Sequence, residues 1–147
     1  MEASDLNAKQ APLKELYRSD PARAVVTLAE QECRNASHYY LGTEHLLLSM
    51  AISTPPDVEE YFRRAGLEPW QVKWACRASM EPASDHPWEG VVVTPRVRRI
   101  IARAVAQKTE GLVAPIDLLN AIVADGGGVA ARVLASLTAP ERARTAS

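Results

Sequence analysis

The chain reads as an all-α protein of about eight helices in two pseudo-symmetric four-helix repeats. Three observations carry that reading. The run Leu41-Gly42-Thr43-Glu44-His45-Leu46-Leu47-Leu48 recurs in degraded form, 72 positions later, as Val113-Ala114-Pro115-Ile116-Asp117-Leu118-Leu119-Asn120. Each run follows a long helical pattern that opens at a hydroxyl before proline (Ser19-Asp20-Pro21, then Thr94-Pro95), and each precedes a shorter one (Tyr61 to Leu67, then Ala131 to Leu137). No segment alternates convincingly, and Val91-Val92-Val93 is too short to build a sheet. A self-similar unit of this length implies two copies packed against each other.

The elements follow in order. Ser19 or Asp20 caps a first helix with Pro21 at its first position, where a missing N–H costs nothing. Ala22, Val26, Ala29, Cys33 and Ala36 recur at spacings of three and four and form its buried stripe. Thr43 is placed to cap a second helix, with Glu44 in the first turn and Leu47, Met50 and Ala51 inward. Thr54-Pro55-Pro56 ends it and starts a third, buried through Val58, Tyr61, Phe62 and Ala65 and closed by Gly66. Pro69 opens a fourth through Val72 and Cys76. Pro82, Pro87 and Gly90 mark residues 81–93 as a linker. Thr94-Pro95 then opens a helix with Val97, Ile100, Ile101, Ala104 and Val105 inward. Pro115 opens another that buries Ile116, Leu119, Ile122 and Val123. Gly126-Gly127-Gly128 breaks it, and Val129, Val133, Leu134 and Leu137 close the core. One domain over 1–147 is expected, with repeat one at about 19–80, repeat two at about 94–138, and frayed ends at about 1–10 and 140–147.

Composition narrows the function. At 147 residues the chain is long enough for a real core, and 47% hydrophobic with 24% charged residues is ordinary for a globular protein. A net charge of −1 argues against a strong nucleic-acid or membrane footprint. Two cysteines, Cys33 and Cys76, make no disulfide framework, so a reducing cytoplasm is expected. No apolar run reaches the ~18 residues a membrane span needs, and the acidic start Met1-Glu2-Ala3-Ser4-Asp5 does not read as a secretory signal.

A search for chemistry finds no catalytic constellation, so no enzyme activity is expected. Gly126-Gly127-Gly128 lacks the lysine and preceding strand of a phosphate-binding loop. Cys33, His38 and His45 fit no zinc spacing and lack a fourth ligand, so no metal or cofactor is expected. Cys33 reads as a small core residue, and the histidines as hydrogen-bonded structural groups. Glu59 and Glu60, adjacent on a helix, point apart. Arg96, Arg99 and Arg103 share a helix face with Arg98 turned away. Such a strip could hold acidic peptide or nucleic acid, although a solvated outer face is the preferred reading. Trp70 and Trp74, four apart, and Trp88 fall near the linker. Packing between the repeats is preferred, with an exposed protein-binding patch as the alternative.

The chain resembles the N-terminal recognition domain of Clp-type AAA+ unfoldases, the double Clp-N repeat. The resemblance rests on Glu30-Gln31-Glu32-Cys33-Arg34 and on His38 through Leu48 in the first repeat. In the second it rests on Thr94-Pro95-Arg96 and on Gly128 through Leu134. With their spacing these cover roughly residues 19 to 138. The resemblance implies a recognition module without the ATPase motor. Its partners would be proteins: an adaptor, a substrate or a Clp unfoldase subunit. For some family members the ligand is phosphoarginine, one per repeat, held by a helix start and a glutamate. Carried over by position, the first site would use Ser19 and Glu44. The second would use Thr94, but Ile116 stands where the glutamate is needed and cannot pair with a guanidinium. The plainer reading of Glu44 is a first-turn carboxylate that stabilises its own helix.

The leading expectation is therefore a non-enzymatic protein-interaction module of bacterial cytoplasm, an accessory or regulator of Clp proteolysis that binds through the groove between the repeats and the helix starts at Ser19 and Thr94. The competing one is a nucleic-acid or small-molecule binding regulator on the same helices, favoured only by the arginine strip.

Overall fold

The computed structural model describes residues 20–85 and 90–146. In chain order it contains α1 (Asp20–Asn35), β1 (Tyr40–Leu41), α2 (Thr43–Ser53), α3 (Pro56–Ala65), α4 (Pro69–Ala78), β2 (Val92–Val93), α5 (Pro95–Gln107), α6 (Pro115–Asp125) and α7 (Val129–Ala146). The protein is all-α, with seven helices among the described residues. Three helices follow the linker where four were expected. The starts of α5, α6 and α7 fall 75, 72 and 73 positions after those of α1, α2 and α3. α7 runs on to Ala146 through the stretch read as a frayed end; alanine, glutamate and arginine there are good helix formers.

Proline sits in the first turn of α3, α4, α5 and α6, where its fixed φ suits a helix start and its missing N–H would be unsatisfied anyway. Thr94 caps α5 as the sequence implies, its hydroxyl accepting from Val97 N–H at 3.3 Å. Gly66 closes α3 at φ 72°, a left-handed conformation in which glycine carries no Cβ penalty.

The pattern understates α2. Every residue from Thr43 to Ala51 is buried, so it is a central helix wrapped on all sides rather than an amphipathic one with Leu47, Met50 and Ala51 inward. α1, α4, α6 and α7 all pack on it, and one continuous core joins Val26, Leu46, Leu47, Phe62, Ile100, Ile101, Leu118 and Leu119 across the two halves.

Thr43 does not cap its own helix. Gly42 is the N-cap, and its N–H donates to His45 Nδ1 at 3.0 Å. The same device recurs 72 positions on, where Ala114 N–H donates to Asp117 Oδ2 at 2.8 Å. Thr43 is thereby released to cap another helix. Its hydroxyl accepts Ala130 N–H, in the first turn of α7, at 3.1 Å. Asp57 of α3 likewise accepts Ile116 N–H, in the first turn of α6, at 3.1 Å. Two helix starts of the second half are thus completed by side chains of the first.

The valine run is extended after all. β1 and β2 form a two-residue parallel pair, Tyr40 beside Val92 and Leu41 beside Val93. Branched side chains favour extension, and Thr94 is held out of the helical region by Pro95. Val92 N–H donates to Tyr39 O at 2.7 Å, Thr94 N–H to Leu41 O at 3.2 Å and Ser84 N–H to Ser37 O at 2.9 Å. The connection between the halves is therefore laid along the α1–α2 turn.

Candidate protein-recognition site

Several residues that the stripe pattern assigns to the core are not in it. Ala65 is exposed, Val123 is 44% exposed, and Tyr61, Ile116 and Leu137 are only half-buried. Ala65, Tyr61, Val123 and Ile116 line an open groove where α3 of the first half faces α6 and α7 of the second. One part, of about 290 Å³, is walled by Tyr61, Ala65, Leu67, Val123, Leu134 and Ala135. The adjoining part, of about 570 Å³, shares Tyr61 and Ala65 and adds Ile116, Asn120, Asp57, Glu60 and Arg64. Its floor is apolar and one rim is charged. On that rim Glu60 accepts from Arg63 at 2.5 Å and from Arg64 at 3.0 Å, and these bonds hold its carboxyl below the usual range. Burial raises the Tyr61 phenol. An apolar trough edged by hydrogen-bonding groups suits a polypeptide side chain and its backbone better than a small anion.

Of the positions carried over from the resemblance, Ile116 lines the groove, while Glu44 and Thr94 line neither part of it. Ser19 is outside the described residues. Glu44 is 5% exposed and accepts the Tyr40 hydroxyl at 3.4 Å; it has no ion pair among the described residues. Its charge reaches three neighbours. Burial and then Glu44 push Cys33, Tyr40 and Cys76 each up to about 12. Thr94 is engaged as the α5 cap. The Ile116 N–H is taken by Asp57, so the α6 start already holds a carboxylate.

His38 and His45 form a chain whose tautomers follow from its ends. Gly42 N–H can only donate, so His45 Nδ1 is bare and its proton sits on Nε2. That Nε2–H donates to His38 Nδ1 at 2.9 Å, and His38 Nε2–H donates to Glu81 O at 2.7 Å. Burial, then His38, lowers His45 to about 4. The two imidazoles therefore tie the start of α2 to the linker. Among the described residues no three His, Cys, Asp or Glu side chains gather as a metal site.

The arginine strip is partly committed. Arg96 is bonded to Asp125 at the end of α6 and lies against Gly127 and Gly128. The Arg96 bond holds the Asp125 carboxyl below its usual range. Arg98 donates to Val93 O at 3.2 and 3.3 Å, while Arg99 and Arg103 are exposed. Trp70 and Trp74 do not pack the halves together: they are 63% and 71% exposed. The buried face of α4 is Val72, Ala75 and Cys76, and that face is the one turned toward α2 and α7. Trp88 lies outside the described residues.

A groove between the repeats was expected, but the sequence does not give its walls, because a groove wall and a core wall share one apolar periodicity. Sequence reasoning missed the crossed caps because they join positions 87 and 59 apart. The available signal was the surplus of apolar stripe positions on α3 and α6 over what two helices facing one core require.

Comparison with known proteins agrees with this architecture. The family described as "Clp repeat (R) N-terminal domain" matches residues 18–137, and the chain belongs to that family. It is 26% identical over 131 residues to the chloroplastic chaperone protein ClpC1 of Oryza sativa subsp. japonica, covering 86% of this chain and 14% of that protein. It is 25% identical over 122 residues to the chaperone protein ClpB of Oceanobacillus iheyensis, covering 81% and 15%. The chain thus spans about a seventh of the length of these relatives. Among solved structures, the N-domain of ClpV from Vibrio cholerae aligns with a TM-score of 0.66 at 20% identity, covering 78% of this chain and 72% of that one. A complex of the ClpV N-domain with VipB peptide aligns at 0.59 and 20% identity, covering 74% and 70%.

Proposed function

We propose that this chain is a non-enzymatic recognition module that binds a protein segment, an adaptor or substrate in Clp-dependent proteolysis. The observation that carries the reading is the apolar groove between α3, α6 and α7, left open although its walls are built from core-type side chains. Membership of the Clp N-domain family supports it, as does a structural neighbour with a bound peptide. The nucleic-acid alternative is weakened because Arg96, first of its three cations, is held by Asp125. Affinity capture from the source cell tests the proposal. Proteins recovered by the native chain and lost with Val123→Glu would support it. An identical set from both would remove the groove from the function.

A narrower reading concerns phosphoarginine at Ser19 and Glu44. What supports it is a buried carboxylate with no cation beside it among the described residues, a place where a guanidinium would find its countercharge. Among the described residues the second half offers no such carboxylate, so one equivalent is expected. Calorimetric titration with phosphoarginine should saturate at one site and vanish in Glu44→Ala. No heat in the native protein would end this reading without touching the groove.

A further inference from the structure

Trp70, Lys73, Trp74 and Arg77 are spaced three, four and seven apart along α4 and so share one helix face. The tryptophans present most of their surface to water, although such rings are normally buried or engaged. Lys73 has no hydrogen bond or ion pair among the described residues, and Arg77 reaches Glu32 of α1 at 3.8 Å with its side chain 60% exposed. No Asp or Glu lies between Pro69 and Ala78, a local cationic excess in a chain whose net charge is −1. Neither tryptophan lines the groove.

We infer that this α4 face is a second docking surface, and that its occupant is an acidic amphipathic segment of another protein. Aliphatic side chains of the partner cover the Trp70–Trp74 pair while its carboxylates meet Lys73 and Arg77. The charge pattern selects this occupant: a half-buried Lys73 and an exposed Arg77 flank an aromatic platform, and tryptophan with arginine is the composition that dominates interface energetics. Nucleic acid fits less well, because two cations bounded by Glu68 and Glu32 make no continuous track for a phosphate backbone. The inference is independent of the groove.

The test uses a fluorescein-labelled synthetic helix with a leucine stripe flanked by glutamates, and a twin with lysine for every glutamate. Titrated with the whole chain, the glutamate peptide should show saturable anisotropy and shift tryptophan emission to shorter wavelength. Binding should weaken by about tenfold or more in Trp70→Ala/Trp74→Ala and in Lys73→Glu/Arg77→Glu. The second variant should instead bind the lysine twin. Trp70, Trp74 and Arg77 are exposed and Lys73 is half-buried; unchanged circular-dichroism melts will show that the variants fold. Absence of saturable binding, equal binding of both peptides, or insensitivity to the tryptophan variant would overturn the inference. So would displacement by oligo-dT, loss of binding in Val123→Glu, or self-association that the tryptophan variant abolishes, which would make a second copy the occupant.

Discussion

The hydroxyl of Thr43, in the first turn of α2, accepts the backbone N–H of Ala130, in the first turn of α7, at 3.1 Å. Both residues are buried, and Gly128 passes so close that a Cβ there would lie 2.7 Å from the same hydroxyl oxygen. One side chain of the first half therefore sets where a wall of the groove begins.

Replacing Thr43 by valine keeps its shape and removes the acceptor. Ala130 N–H is then buried without a partner, which costs about 2 kcal/mol. For a domain of this size that lowers Tm by roughly 6 °C. Thr43→Ser should stay within about 1 kcal/mol of native. Urea unfolding of the three proteins measures the difference.

Gly128→Ala should destabilise through crowding rather than backbone strain. Its Cβ would press on Thr43 and on the Arg96 side chain at 2.9 Å. A loss of about 1–3 kcal/mol is expected. Arg96→Ala, which frees that space, should shrink the loss in a double-mutant cycle.

How much of this was legible varied by element. The helices are local objects, and Pro21, Pro56, Pro69, Pro95 and Pro115 announce their starts. Gly66 and Gly126 announce two of their ends. The family followed from His38 through Leu48, whose two histidines prove to be the structural chain. Caps between distant positions were not legible, because Thr43 beside Glu44 looks the same whether it caps α2 or α7. Nor was exposure: Trp74 and Cys76 are two residues apart on α4, yet one is 71% exposed and the other fully buried. Only the packing of α4 on α2 and α7 decides between them.

Acid should weaken the fold through His45. Its folded value, about 4, lies below the ordinary 6.5, because burial and His38 oppose the charge. The unfolded chain therefore takes up this proton first as pH falls. The stabilisation is complete above pH 6.5 and is lost between 6.5 and 4, on the order of 3 kcal/mol. Protonation at Nδ1 would also forfeit the Gly42 N–H bond. Urea midpoints between pH 7.5 and 4.5 should fall steeply in the native protein and less steeply in His45→Gln.

Both thiols should be inert in the folded chain. Cys33 and Cys76 are fully buried and pushed up to about 12, first by burial and then by Glu44. A disulfide-exchange reagent at pH 8 should react slowly with the native protein and at once after denaturation. Rapid native labelling of either would contradict the packing of α1 or α4 on α2.

The groove is tested most directly by backbone amide resonances followed while a partner segment obtained by affinity capture is titrated in. Saturable shifts concentrated on Tyr61, Ala65, Val123, Leu134 and Ala135 are the expected result. Shifts that leave those five residues unmoved while the segment binds elsewhere would contradict a recognition role for the junction of the two halves.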